Sequence, residues 1–199
     1  MFKRSLTAVA AAGLLFCATA ASQAAVEIGQ AAPEFSLVDQ HGKTVKLSDF
    51  VGKIVVLEWF NEECPYVKKH YTGGAMNATA AKYAEKGVVW LAVNSTSAAD
   101  VARNLKAATD WKMDRPILDD HTGKVGHAYD AKNTPHVFII DGQGKLIYRG
   151  AIDSKPSSSS ADISSATNYA AKALDEALAG KPVSQSETKP YGCTVKYAK

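Results

Sequence analysis

Two near-continuous apolar runs, residues 54–60 and 88–93, constrain this chain more than any other feature. Each is too short to cross a bilayer and lacks the alternation of a half-exposed strand, so each predicts a strand covered on both faces, the habit of parallel strands in α/β domains. Between them, a helical stretch runs from Pro65 to about Lys86, with Val67, Tyr71, Met76, Ala80 and Tyr83 on its apolar face, a loosening at Gly73-Gly74 and a stop at Gly87. A helix over roughly 98–109, a short strand at 117–118 and a short helix around 125–129 follow. Hairpins are predicted where 35–38 and 44–47 flank the turn formers 39–42, and where 137–140 and 145–148 flank 141–144. A closing helix with Tyr169, Ala170, Ala173, Leu174, Ala177 and Leu178 on one face stops at Gly180, before Pro182. The four consecutive serines within 154–165 predict a flexible loop. The sum is an α/β domain with a central mixed β-sheet, helices on both faces, an extra N-terminal hairpin and a polar C-terminal tail.

The first residues follow a different rule. Lys3 and Arg4 precede an uncharged apolar run over 6–21 and the small residues Ser22, Ala24 and Ala25, with no acid before Glu27. That order predicts a secretory signal peptide over 1–24, cleaved after Ala24. Three units result: the leader 1–24, the domain 25–182, and the tail 183–199. Removing 24 of 199 residues leaves 175, takes Cys17 away, and lowers Lys+Arg from 23 to 21 against 20 acids, a net charge of +1. A nearly neutral chain with interleaved charges carries no electrostatic footprint for nucleic acid or an anionic membrane. The expected compartment is periplasmic, where Cys64 and Cys193 can persist as a disulfide.

Cys64 follows a buried strand and precedes Pro65, which suits the first position of a helix. A thiolate there faces unpaired N–H groups and the positive end of the helix dipole, and its pKa falls. Lys68 and Lys69 favour the thiolate, whereas Glu62 and Glu63 oppose it. The plain alternative is a small buried side chain. Glu58, on the strand amid Val56, Leu57 and Trp59, is either a buried acid with a raised pKa or a surface acid at an edge.

Residues 32–37 (Ala32, Pro33, Phe35), the Cys64-Pro65 turn, Thr134-Pro135, the stretch 138–144 and Tyr148-Arg149-Gly150 together resemble the thioredoxin-like superfamily, in its secreted branch near the peroxiredoxins, over about 30–180. The resemblance implies a thioredoxin-like fold, Cys64 as nucleophile, Glu58 as the buried acid that moves protons, and a cis-proline at Thr134-Pro135 that lies against the cysteine and offers backbone groups to a bound polypeptide. No cofactor is implied.

The chain departs from both patterns of that superfamily. Val67 stands where the second cysteine of C-x-x-C would be, and Asn61 replaces the peroxiredoxin threonine. The implied substrates are protein or small-molecule thiols and disulfides, with peroxide as the alternative oxidant of Cys64. Cys193, on a tail expected to be mobile, is the remaining thiol of the mature chain, and it serves either as resolving partner of Cys64 or as a permanent staple. A non-enzymatic reading makes the chain a binding module or copper carrier. His70 or His136 would then approach the Cys64 sulfur, although the five histidines have no dense metal-ligand spacing and Phe60 stands where the copper-delivery motif has its first cysteine.

Overall fold

A central strand that is buried on both faces organises the molecule. The computed structural model describes residues 25–199, so the leader read at 1–24, with Cys17, lies outside the described residues. The strands are β1 (Ser36–Val38), β2 (Thr44–Lys46), β3 (Val55–Trp59), β4 (Val89–Asn94), β5 (Ile117–Asp119), β6 (Asn133–Thr134), β7 (His136–Ile140), β8 (Leu146–Gly150) and β9 (Cys193–Thr194). The helices are α1 (Pro65–Thr72), α2 (Ala75–Ala84), α3 (Val101–Asp110), α4 (Lys124–Ala128) and α5 (Tyr169–Leu178). Seven strands form one mixed sheet in the order β2-β1-β5-β4-β3-β7-β8, with β3, β4 and β5 mutually parallel and the remaining pairs antiparallel. The predicted apolar runs lie at its centre, as runs covered on both faces should.

Side chains leave the sheet alternately, so β3 feeds two cores. On one face Val56 and Phe60 pack with Val67 and Tyr71 of α1, Met76 and Tyr83 of α2, Ala107 of α3 and Leu174 of α5. On the other, Val55, Leu57 and Trp59 pack with Phe35, Val125 of α4, Tyr129 and Phe138. Among the described residues no helix is long and apolar enough to cross a membrane.

Three expectations need correction. The stretch after Cys64 is two helices, because Gly74 takes a left-handed φ of 71° between α1 and α2. The serine-rich loop is ordered around a 3-10 turn, Ser160–Ser165, with the Ser157 hydroxyl donating to Asp162 at 2.5 Å. The tail is docked along its length. Thr188 Oγ1 accepts from the Ala151 N–H (2.9 Å), Glu187 pairs with Arg149, Val195 is buried, and Tyr197 stacks on His127 at 4.1 Å.

Candidate active site around Cys64

β3 delivers the chain to a turn that Asn61 fixes. Its Oδ1 accepts the Glu63 N–H (2.8 Å), its Nδ2 donates to Thr96 Oγ1 (3.1 Å), and the Cys64 N–H donates to its carbonyl (3.1 Å). Cys64 is the N-cap of α1 and Pro65 its first helical residue, as the sequence predicts. The thiol is not exposed, however: only 2% of Cys64 is accessible, because the tail crosses it.

The Thr134–Pro135 peptide bond is cis, and it turns the chain so that the Thr134 carbonyl accepts the Cys64 thiol at 3.0 Å. β6 pairs antiparallel with β9 and sets Cys193 opposite Thr134. Both cysteines are free thiols. Cys193 packs against the cluster that holds Cys64, and the acidities of the two thiols diverge. Burial opposes the Cys64 thiolate, but the Cys193 side chain, the Thr134 hydroxyl, and the N–H groups of Cys193 and Val67 outweigh it and hold the thiol below its ordinary value. Cys193 is pushed up to about 11, first by burial and then by its bond and proximity to the Cys64 sulfur, with Lys196 acting weakly against the shift. Cys64 is thus the more acidic thiol of the pair.

Three of the four charges expected to tune Cys64 are engaged elsewhere, and Lys68 is exposed. Glu62 and Glu63 pair with Arg103, and Lys69 turns to the Lys155 carbonyl (2.8 Å), the Tyr191 hydroxyl (3.2 Å) and Asp153 (3.4 Å). Sequence reasoning missed this Lys69–Asp153–Tyr191 cluster. Nothing local marks three residues that meet only when the tail lies over α1.

Glu58 is fully buried at the centre of the sheet, opposite Ala92 and Val137, which rules out the edge position. Its carboxylate accepts from the Tyr71 hydroxyl (3.0 Å) and Trp90 Nε1 (3.1 Å), with the Arg115 guanidinium at 3.8 Å. Burial raises its pKa against the opposing pull of Arg115, Trp90 and Tyr71. Those bonds tie Glu58 into a closed network under α1.

The histidines face other partners than sulfur. His70 Nε2 lies 3.3 Å from the Tyr191 hydroxyl and 3.8 Å from Asp153, and His136 Nδ1 accepts the Lys132 N–H at 3.3 Å. Among the described residues no group of three or more His, Cys, Asp or Glu side chains is arranged to hold a metal ion.

Relatives of known class or structure bear on the family and the fold. A thiol-disulfide oxidoreductase ResA of Bacillus thuringiensis subsp. konkukian is 34% identical over 122 residues, 61% of this chain and 68% of that protein. An uncharacterized conserved protein of Geobacillus kaustophilus, of known structure, superposes with a TM-score of 0.73 at 31% identity, covering 86% of this chain and 93% of its own. A putative thiol:disulfide interchange protein DsbE from Chlorobium tepidum superposes with a TM-score of 0.56 at 29% identity, covering 63% of this chain and 85% of its own. The pattern that defines the AhpC/TSA family matches residues 28–149. With an activated cysteine at the start of α1, a cis-proline turn against it and a thioredoxin-like mixed sheet behind it, the chain belongs to the AhpC/TSA family of thioredoxin-like redoxins.

Proposed function

We propose that the chain is an exported thiol-disulfide oxidoreductase in which Cys64 is the nucleophile and Cys193 its resolving partner. The observation that carries this reading is that the β6–β9 ladder sets Cys193 opposite Thr134, the residue whose carbonyl accepts the Cys64 thiol, so that two free thiols, one acidified and one not, meet at one turn. The Cys64 thiolate attacks a substrate disulfide, forms a mixed disulfide and expels one substrate thiolate, which takes a proton. With Cys64 consumed, its negative charge no longer holds the proton on Cys193. Cys193, as thiolate, attacks the Cys64 sulfur, releases the second substrate thiol and leaves a Cys64–Cys193 disulfide. The substrate gains two electrons, the protein loses two, and an external dithiol restores the reduced pair. Relatives named thiol-disulfide oxidoreductase support this class of substrate. Peroxide is the less favoured oxidant: Asn61 is committed to Thr96 and Glu63, and the guanidiniums of Arg103 and Arg115 are engaged by Glu62, Glu63, Glu58 and Tyr71.

The test is mass spectrometry of the purified chain after treatment with a linear disulfide, oxidised glutathione. The wild type is expected to lose two hydrogens in a Cys64–Cys193 link, Cys193→Ser to accumulate a mixed disulfide at Cys64, and Cys64→Ser to accumulate neither. A wild type that forms no such link under oxidation overturns the resolving role. The leader read at 1–24 supports a periplasmic location; protein from the periplasmic fraction is expected to begin at Ala25, and retention of the leader in the cytoplasm overturns it.

A further inference from the structure

Four side chains with no part in the thiol exchange meet beside the second turn of α1. The Tyr191 hydroxyl donates to Asp153 Oδ1 (2.5 Å), accepts from Lys69 Nζ (3.2 Å) and lies 3.3 Å from His70 Nε2. Lys69 is a fully buried ammonium, and a buried charge is costly unless it is paired and hydrogen-bonded. Its partners are Asp153 Oδ2 at 3.4 Å and the Lys155 carbonyl at 2.8 Å, while the Lys155 N–H donates to Asp153 Oδ1 at 2.9 Å. None of those bonds involves the tail. Lys69, Asp153 and Lys155 therefore form a socket that stands without Tyr191, and the Tyr191 hydroxyl plugs into it. Asp153, Lys155 and Tyr191 all lie beyond residue 149, where the match to the family pattern ends.

Tyr191 stands two residues before Cys193, in the stretch of tail that crosses the nucleophile. Thr188 holds the tail upstream, and Val195 and Tyr197 hold it downstream. Between those anchors the bonds of the Tyr191 hydroxyl go to a carboxylate and an ammonium, the strong class of hydrogen bond. A cleft of about 680 Å³ opens alongside, lined by Asp153, Tyr169, Pro190, Tyr191 and Gly192, so the stretch has room to swing clear. The two steps of thiol exchange need opposite positions of it. With the tail docked only 2% of Cys64 is accessible, so an external disulfide reaches Cys64 with the tail lifted, whereas Cys193 reaches it with the tail docked. Whatever sets the balance between the two positions moves the two steps in opposite directions.

We propose that Tyr191 is a positioning residue for the resolving thiol: its hydroxyl, clasped by Lys69, Asp153 and His70, sets the share of time Cys193 spends over Cys64, and so divides the reaction between capture of a disulfide and its resolution. The proposal rests on the oxidoreductase reading for these two steps, but the clasp itself does not require it. In capture, with the tail lifted, the Cys64 thiolate forms a bond to one sulfur of the disulfide and expels the other as a thiolate. In resolution, with the tail docked, the Cys193 thiolate forms a bond to the Cys64 sulfur and expels the second substrate thiolate. Both expelled thiolates take protons from solvent, and Tyr191 exchanges neither proton nor electron.

The probe is glutathione, and the variant is Tyr191→Phe, which removes the hydroxyl and keeps the ring that meets Tyr66 edge-on at 6.0 Å. Capture is the rate at which Cys64 takes up oxidised glutathione in a Cys193→Ser background. Resolution is read at equilibrium with Cys193 present: at a fixed concentration of reduced glutathione, the ratio of Cys64–Cys193 link to chain carrying one glutathione at Cys64 gives the effective concentration of Cys193. Tyr191→Phe is expected to speed capture about tenfold and to lower that effective concentration about tenfold, the equivalent of one hydrogen bond to a charged group. Asp153→Asn, which weakens the same acceptor, is expected to move both quantities in the same directions, and the double variant to go no further than the larger single change. Movement of both quantities in one direction, or of neither, overturns the proposal. If Cys64 takes up no glutathione in any of these proteins, the oxidoreductase reading falls, and the clasp is read by iodoacetamide in the Cys193→Ser background, with rates normalised to the thiolate fraction of Cys64. Tyr191→Phe is then expected to react about tenfold faster than its parent, and equal rates overturn the clasp.

Discussion

Cys64 owes its acidity more to one neighbour than to its helix. Burial among Phe60, Val67 and the tail opposes a charge there, and the Cys193 thiol is the foremost of the groups that overcome it, ahead of Thr134 and the Val67 N–H in the first turn of α1. The helix-terminus argument made from sequence thus names a real but minor contribution. It follows that Cys193→Ala, which removes the donor, raises the pKa of Cys64, whereas Cys193→Ser, which keeps a donor of similar reach, leaves it low. The pH profile of alkylation by iodoacetamide checks this: the alanine variant is expected to need a higher pH for half-maximal rate, and coincident profiles for the two variants would assign the acidity to the helix instead. Glu58 carries a second lesson at this scale. For a carboxylate among Val56, Leu57 and Trp59 the sequence left burial and an edge position both open, and its partners were not legible at all. Tyr71, Trp90 and Arg115 come from three other segments and converge only after β3, β4 and α1 have packed.

At the scale of elements, whatever had a period was legible. β3, β4, β7 and α5 follow from apolar spacing alone, with ends displaced by a residue or two, and α5 spans the residues that the sequence assigns to its face. β6 and β9 have no period to read, since two residues cannot show one, and the ladder exists only because the cis turn at Pro135 and the docked tail meet. The far end of that tail is held by α4. Gly126 leaves room for Tyr197, whose hydroxyl donates to the Ala131 carbonyl (2.7 Å). A Cβ at Gly126 would come within 2.5 Å of the Tyr197 hydroxyl and 2.8 Å of Ser95 Oγ, itself bonded to Asp120. Helix propensity alone makes Gly126→Ala favourable by about 1 kcal/mol, yet the overpacking costs about 1–3 kcal/mol. The variant is therefore expected to lose stability on denaturant unfolding. Hydrogen exchange is expected to accelerate at the Ser97 and Val195 amides, which donate to Lys196 and Lys132, before it accelerates in β3 or β4. An unchanged exchange pattern would mean that the tail is not anchored through Tyr197.

For the whole molecule, two buried imidazoles tie stability to acidity. His136 at the start of β7 has its pKa pushed down to about 3, by burial first and then by Arg149 and Lys132; His70 on α1 falls to about 4, by burial, with Asp153 opposing and Lys69 assisting. An unfolded chain protonates both near their ordinary value of 6.5, while the folded chain still excludes the proton. The stability they support is thus present above about pH 6.5 and is lost as pH falls toward the folded values, at about 1.4 kcal/mol per pH unit for each imidazole. Glu58 works the other way, because its raised pKa lets the folded state bind a proton earlier than the unfolded chain does. The informative quantity is therefore a difference between two proteins. Urea unfolding of wild type and His136→Gln, between about pH 6.5 and pH 4.5, is expected to show the wild type losing about 1.4 kcal/mol more per pH unit than the variant, whatever Glu58 contributes to both. Equal slopes would mean that His136 takes up its proton in the folded state. In that case the Lys132 amide that donates to its Nδ1 would lose its acceptor at mildly acidic pH, and the turn that carries Thr134 would loosen with it.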